Sequence, residues 1–292
     1  MPALDRAIGV IAGNGQFPFR FVEEAKRNGH SVVAVCHVDE TSPELEHLVD
    51  HATWIQVGQL GKLVKTFQEH HISQVAMAGG ISRVKHFGDV KLDARGAALL
   101  LKIRSTKDDV IMRGIAAELE REGITVIDCT VFLQDCLAEE GVLTRSVPSA
   151  EEWDDIEVGR KAIQVMSSED IGQLVVVREG VVVAVEAVEG TNEAILRGGN
   201  LGRRDSVVVK FAKPTQDMRF DVPTIGLKTI ETMIEAKCRV LAVEAGRTLL
   251  MDREEVVALA NKNKICVVGC PPLVTFSELT ASAKTVLEIK SK

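Results

Sequence analysis

Between residues 206 and 226, SVVVKFAKPTQDMRFDVPTIG holds Lys210, Lys213, Gln216, Asp217, Arg219, Asp221 and Thr224, more polar groups than packing alone requires. Carboxylates are hard oxygen donors for Mg²⁺ and can serve as a general base on water. Lysine and arginine hold phosphate oxygens, arginine through a two-pronged fork. Upstream, VEAVEGTNE ends an apolar run with Glu186, Glu189, Gly190 and Thr191, and SSEDIGQ leaves Asp170 and Gln173 just before another. A single acid at a strand end is ordinarily a solvated or salt-bridged surface group. Here acids recur beside Lys213 and Arg219. That combination suits hydrolysis or transfer at phosphorus, where positioning and charge neutralisation supply most of the rate. Within QDMRFDV, the alternation of Met218, Phe220 and Val222 predicts a strand with one buried face. Asp217, Arg219 and Asp221 would then share the other face until Pro223 and Gly226 end it.

A second set of candidates is glycine-based. GVIAGNGQFP sets Gly13, Asn14 and Gly15 where a first strand should give way to a helix. Glycines permit close backbone approach, and a helix N-terminus favours an anion. The third glycine of a dinucleotide fingerprint is missing, with Pro18 in its place. No acid clearly closes the second strand either, since Asp39 lies beyond His37 and Val38. A tight turn without ligand accounts for the pair about as well. MAGGISR places Gly79 and Gly80, then Ser82 and Arg83, at another strand end; two such loops on one sheet edge suit a nucleotide or sugar phosphate. Asp108 and Asp109 in TKDDVIMRG open a helix, where capping and dipole neutralisation explain at least one of them.

The elements that must position these groups alternate. Apolar runs at 8–13, 31–37, 51–57, 74–80 and 124–130 read as strands. Helical spacing covers 17–28, 60–70, 97–103 and 108–122. Strands separated by helices predict parallel pairing in an α/β, Rossmann-like open sheet. Residues 135–150 show little periodicity and are expected to link a substrate-binding domain (1–134) to a catalytic domain (151–292). Ser149 reads as the cap of a helix reaching Met166. The second half has strands at 174–180, 181–190, 206–213, 240–246 and 265–269, with helices at 226–237 and 253–263. A hairpin at 179–182 makes this a mixed-sheet α/β lobe.

Composition narrows the classes. At 292 residues the chain is long for one core, which favours two domains. A net charge of −7 and an aromatic content of 4% with no Tyr argue against nucleic acid, which needs cations and stacking platforms. Cys36, Cys129, Cys136, Cys238, Cys266 and Cys270 include no CxxC pair and read as small apolar residues of a reducing compartment rather than a zinc site. His70 and His71 read as solvent-facing rather than as metal ligands. No signal pattern or membrane-length apolar run is present, so a cytoplasmic protein is expected.

The strings IAGNGQFP, AGGISR, TKDDVIMR, DIGQLVVV, VEAVEGT, KPTQDMRFDVPTIG and EAGRTLLMDRE, in that order over about residues 8–270, resemble the LpxI family, the UDP-2,3-diacylglucosamine pyrophosphatases of Gram-negative lipid A synthesis. The resemblance implies cleavage of UDP-2,3-diacylglucosamine to UMP and 2,3-diacylglucosamine 1-phosphate, with Mg²⁺ (or Mn²⁺), by two lobes holding the substrate between them. It makes the aspartate of D-x-P-T-x-G, here Asp221, essential for activity. Asn14 and Gly80 depart from residues found in relatives, and both leave the backbone free to approach a phosphate. On this basis Asp221, with Glu186 or Glu189, would hold the metal. Lys213 and Arg219 would take non-bridging oxygens. Gly13, Asn14, Gly15, Gly79, Gly80, Ser82, Arg83, Asp108, Asp109, Gln173, Glu189, Gly190, Thr191, Gln216 and Thr224 would surround the substrate.

Acyl chains call for an apolar groove and suit transient contact with the inner-membrane surface. LKIR (101–104) mixes basic and apolar residues there, although an ordinary amphipathic helix explains it better. A homodimer is left open. The alternatives are a non-catalytic nucleotide-sugar binding protein and, with less support, a nicotinamide-dependent oxidoreductase.

Overall fold

The computed structural model describes residues 5–82, 90–104, 108–166, 169, 171–213 and 216–272. By contact the chain divides into two units that do not follow sequence order alone. Gln216–Val222 belongs with Met1–Cys136, whereas Leu137–Thr215 and Pro223–Lys292 form the second unit.

In the first unit, β1 (Ala7–Ala12), β2 (Ser31–His37), β3 (His51–Ile55), β4 (Gln74–Ala78) and β5 (Thr125–Val126) form one sheet in the order β3-β2-β1-β4-β5. Every pairing is parallel. Val32 to His37 are buried without a break, as in a strand covered on both faces. Four helices supply the cover: α1 (Phe17–Arg27), α2 (Leu60–Glu69), α3 (Ala94–Ile103) and α4 (Asp108–Arg121). Phe17, Phe21, Val22 and Ala25 put the buried face of α1 on one side, as Leu60, Leu63, Val64 and Phe67 do for α2. The strand expected over 124–130 shortens to two residues. The Asp128 carboxylate accepts both the Thr130 N–H and the Thr130 hydroxyl at 2.7 Å, an Asx-type turn that ends the ladder.

In the second unit, β6 (Gly141–Val142), β7 (Leu174–Arg178), β8 (Val181–Val185), β9 (Ser206–Lys210), β11 (Cys238–Glu244) and β13 (Cys266–Cys270) are ordered β6-β13-β11-β9-β7-β8. The middle three run parallel and the flanking pairings are antiparallel, a mixed sheet. β10 (Thr224–Ile225) and β12 (Leu249–Leu250) make a separate short parallel ladder. The helices are α5 (Ala150–Met166), α6 (Thr191–Gly202), α7 (Leu227–Glu235) and α8 (Arg253–Lys262). Ser149 does cap α5: its hydroxyl accepts the Glu152 N–H, and the Glu152 carboxylate accepts the Ser149 N–H, a reciprocal box. The 135–150 stretch, expected to be a bare connection, contributes the edge strand β6.

Two further elements differ from the sequence reading. The strand expected over 181–190 stops at Val185, and the unforeseen α6 begins at Thr191. Its glycines lower intrinsic helix propensity, yet they are what lets the helix lie on the sheet: a Cβ on Gly198 would stand 2.5 Å from the Val176 Cβ. The predicted strand over 216–222 is instead a turn. The N–H groups of Phe220 and Asp221 both return to the Asp217 carbonyl, at 3.2 and 3.1 Å. Asp217 also captures the Arg219 N–H with its carboxylate, and such local bonds compete with a ladder. Asp217, Arg219 and Asp221 therefore do not line one strand face.

Candidate active site

The first unit's strand order reverses direction between β1 and β4, so the crevice beyond their carboxyl ends is the topological switch point of the sheet. Both glycine loops sit there. The Gly13 N–H donates to the Ala78 carbonyl (2.8 Å) and the Asn14 N–H to the Gly80 carbonyl (2.7 Å), which bridges the loops. A Cβ on Gly13 would stand 2.3 Å from the Gly80 oxygen, and one on Gly79 would stand 2.4 Å from the Asn14 oxygen. These two glycines serve loop-to-loop packing. Gly15, at φ +84°, has open space around it, and Gly80 meets only the Asn14 side chain.

The Asn14 amide donates to Glu40 at 2.6 Å. Glu40 is buried just past β2, while Asp39 is exposed. The acid that seemed missing from the end of the second strand is thus present as Glu40, and it fixes the first loop. Behind it, the Thr41 hydroxyl donates to the Ala12 carbonyl at 2.7 Å, and His37 Nδ1 meets the same carbonyl at 2.9 Å. Ser82 is half-buried beyond the second loop. Arg83, Asp170 and the side chain of Asp108 lie outside the described residues.

Asp221 reaches the same edge of the first sheet. Cys129, three residues beyond β5, donates from Sγ to the Met218 carbonyl at 3.5 Å. Burial, and then the charges of Asp128, Asp221 and Asp217, push the Cys129 thiol well above its ordinary range. Phe220 belongs to the first unit's buried cluster, together with Leu99, Ala116 and Leu119. Gln216 is buried and Asp221 half-buried.

A chain of alternating charges holds this turn. Arg113 on α4 pairs with Asp109 at 2.8 Å and lies 3.7 Å from Asp217. Arg219 grips Asp217 through Nε (3.0 Å) and Nη2 (2.8 Å) and reaches Glu120 with Nη1 at 3.0 Å. The Arg219 hydrogen bonds hold the Asp217 carboxyl below the usual range, and the Asp217 bond raises Arg219 in return. Arg219 was expected to hold phosphate oxygens. Its guanidinium instead spans two carboxylates of its own unit. Arg113 escapes a reading of the sequence; its Asp109 partner is visible at i,i+4 spacing, but Asp217 is not.

A separate polar cluster lies in the second unit. Glu186, buried at the end of β8, accepts the Thr191 hydroxyl (2.8 Å) and the Gln173 N–H (3.2 Å). Buried Lys210 donates to Thr191 Oγ1 and to the Thr224 carbonyl, both at 3.0 Å. Glu189 lies closer to the surface, where it pairs with Arg197 and accepts the Ala187 N–H. Burial works against its charge, but these bonds outweigh that and hold its carboxyl below the usual range. Gly190, at φ +85°, caps α6, and Lys213 is half-buried.

Two domain families match the chain: the LpxI N-terminal domain over residues 7–136 and the LpxI C-terminal domain over 139–268. The chain belongs to the LpxI family. The UDP-2,3-diacylglucosamine pyrophosphatase LpxI of Caulobacter vibrioides is 32% identical over 278 residues, covering 91% of this chain and 98% of the relative. Solved structures also align with it. The biotin carboxylase domain of the Hydrogenobacter thermophilus 2-oxoglutarate carboxylase is 14% identical, covering 67% of this chain and 40% of that one (TM-score 0.28). The N5-carboxyaminoimidazole synthetase of Staphylococcus aureus is 13% identical over 68% and 45% (TM-score 0.25). Overlaps that low bear on neither fold nor function. Pro18, buried in the first turn of α1, stands where a dinucleotide fingerprint has its third glycine.

Proposed function

We infer that the chain hydrolyses the pyrophosphate bond of UDP-2,3-diacylglucosamine, a step of lipid A biosynthesis, with Asp221 as the catalytic carboxylate. What carries the reading is the continuity of the likeness to the Caulobacter pyrophosphatase through both units, the segment around Asp221 included.

Water attacks one phosphorus, the bridging P–O bond breaks, and UMP leaves 2,3-diacylglucosamine 1-phosphate behind. Asp221 orients the water and accepts its proton. The Asp217–Arg219 pair fixes the turn that carries Asp221, so Arg219 acts through position rather than by touching an oxygen. In the first unit, backbone N–H groups of Gly15 and Gly80, with Asn14 and Ser82, receive part of the nucleotide sugar at the sheet edge. Lys213 takes a non-bridging oxygen. Glu186, Thr191, Lys210 and Gln173 hold the second unit's strand ends and Thr224 in register.

Among the described residues no three His, Cys, Asp or Glu side chains converge on one point. Mg²⁺ does not require such a cage, because it keeps several waters and binds through one or two carboxylates plus substrate phosphates. Half-buried Asp221 is a hard donor of that kind; Glu186 accepts the Thr191 hydroxyl and Glu189 pairs with Arg197. A magnesium ion on Asp221 would supply charge neutralisation at the pyrophosphate. The test is incubation with UDP-2,3-diacylglucosamine in Mg²⁺ or EDTA, with UMP measured. UMP that forms only with the metal, and not with Asp221→Ala, supports the reading; no UMP in either condition overturns it.

A further inference from the structure

We propose that the first unit docks on an anionic lipid bilayer through residues 90–94 and the outer side of α3, an inference that rests on reading the substrate as a diacylated lipid.

Residues 90–104, VKLDARGAALLLKIR, run from an exposed lead-in segment into α3. Val90 and Leu92 crowd Gly58, where a Cβ would stand 2.7 and 2.9 Å from their methyl carbons. The Gly58 carbonyl in turn lies against Gly96 in the first turn of α3. Gly96 and Leu99 face inward. Ala94, Ala98, Leu101 and Lys102 are all exposed, a spacing that puts them on one outward side. Leu101 is 77% exposed, and Val90 and Leu92 are 40% and 42% exposed. Leu101 is turned outward on a ten-residue helix next to Lys102, and Val90 and Leu92 are partly exposed ahead of its first turn.

The charges indicate what covers it. The stretch holds Lys91, Arg95, Lys102 and Arg104 against one acid, Asp93. Asp93 points inward: its carboxylate accepts the N–H groups of Gly96 (2.8 Å) and Gly61 (2.7 Å). Arg95 is paired with Glu118 and Glu122 on the α4 side. Lys91, Lys102 and Arg104 remain exposed around the apolar residues. In a chain of net charge −7, this patch combines apolar burial with attraction to anionic head groups, as an interfacial helix does. A second copy seated on the same face would bring the same cations against it, which costs rather than gains energy.

The test is flotation of the full chain with vesicles of phosphatidylethanolamine and phosphatidylglycerol, against vesicles of phosphatidylcholine alone. The wild type should float with the anionic vesicles, stay behind with the neutral ones, and be released by salt. Leu101→Glu combined with Lys102→Glu should lower vesicle partitioning about tenfold or more. The double variant should keep the wild-type circular dichroism, elution volume and turnover of detergent-dispersed substrate. A wild type that ignores anionic vesicles, a variant that floats equally well, or a variant that changes only the elution volume would each overturn the docking surface. Absence of UMP from detergent-dispersed substrate would count against the activity instead, whatever the vesicles show.

Discussion

Asp217 and Arg219, two residues apart, close a forked ion pair inside the turn that carries Asp221. The fork matters because a carboxylate held by two parallel N–H bonds fixes direction as well as distance. Arg219→Gln, which keeps a polar side chain but removes the charge and the fork, should lower kcat about 10- to 100-fold and leave KM within about twofold, the signature of a misplaced catalytic group. Arg219→Lys should not restore the rate, since a point charge cannot reproduce the fork. Steady-state kinetics decide it: a large rise in KM with kcat unchanged would put the guanidinium on the substrate.

Asp221→Asn should retain substrate binding and lose turnover by about 10²- to 10⁴-fold, the range for a general base. Equilibrium binding of UDP-2,3-diacylglucosamine and UMP release, measured on the same preparation, separate the two effects.

Acid should expose the same clamp. The Asp217 carboxyl is held below its ordinary value of 3.8, first by the Arg219 hydrogen bond. A depressed carboxyl gives stability that is complete above the ordinary value and is lost as pH falls through the lowered one. The melting-temperature gap between the wild type and Asp217→Asn should therefore be constant from neutral pH down to about 4 and close below it. A gap that narrows near neutral pH would mean another group is responsible.

Gly79 and Gly15 have similar φ and should nonetheless respond differently. Gly79→Ala meets the Asn14 carbonyl as well as an unfavourable φ, and should cost about 2–3 kcal/mol. Gly15→Ala meets nothing and should cost only about 1 kcal/mol, the penalty of the left-handed region alone. Urea denaturation measures both. Equal costs would show that loop-to-loop packing is not what restricts these positions.

In the second unit, Lys210→Met should destabilise by about 3 kcal/mol, because Glu186 loses the buried cation at the end of its Thr191 relay. Adding Glu186→Gln should recover part of that loss, which a double-mutant cycle reads directly.

The sheets are largely legible because buried strands such as β2 and β4 are written as unbroken apolar runs between turn residues. What escapes is decided by partners distant in sequence. α6 carries Gly198 and Gly199, which read as a break until Val176 and Ala236 are seen against them. The alternation in MRFDV mimics a strand; the turn follows from the side-chain bonds of Asp217, which periodicity does not register. Asp221 can be singled out from its motif, whereas the support given by Arg113 cannot, because the two segments meet only in the folded first unit. Asp39, the nearer acid, draws attention away from Glu40, since the left-handed turn at Asp39 that separates their directions leaves no sequence mark.

The seven residues from Gln216 to Val222 are on loan from one half of the chain to the other, which makes the gene harder to divide than the protein. A polypeptide stopped near residue 150 would be a first half missing Phe220 from its interior. Its counterpart would carry that phenylalanine with nowhere to house it. Fragments cut there should be poorly soluble apart and regain order only when produced together, each restoring what the other was built to hold.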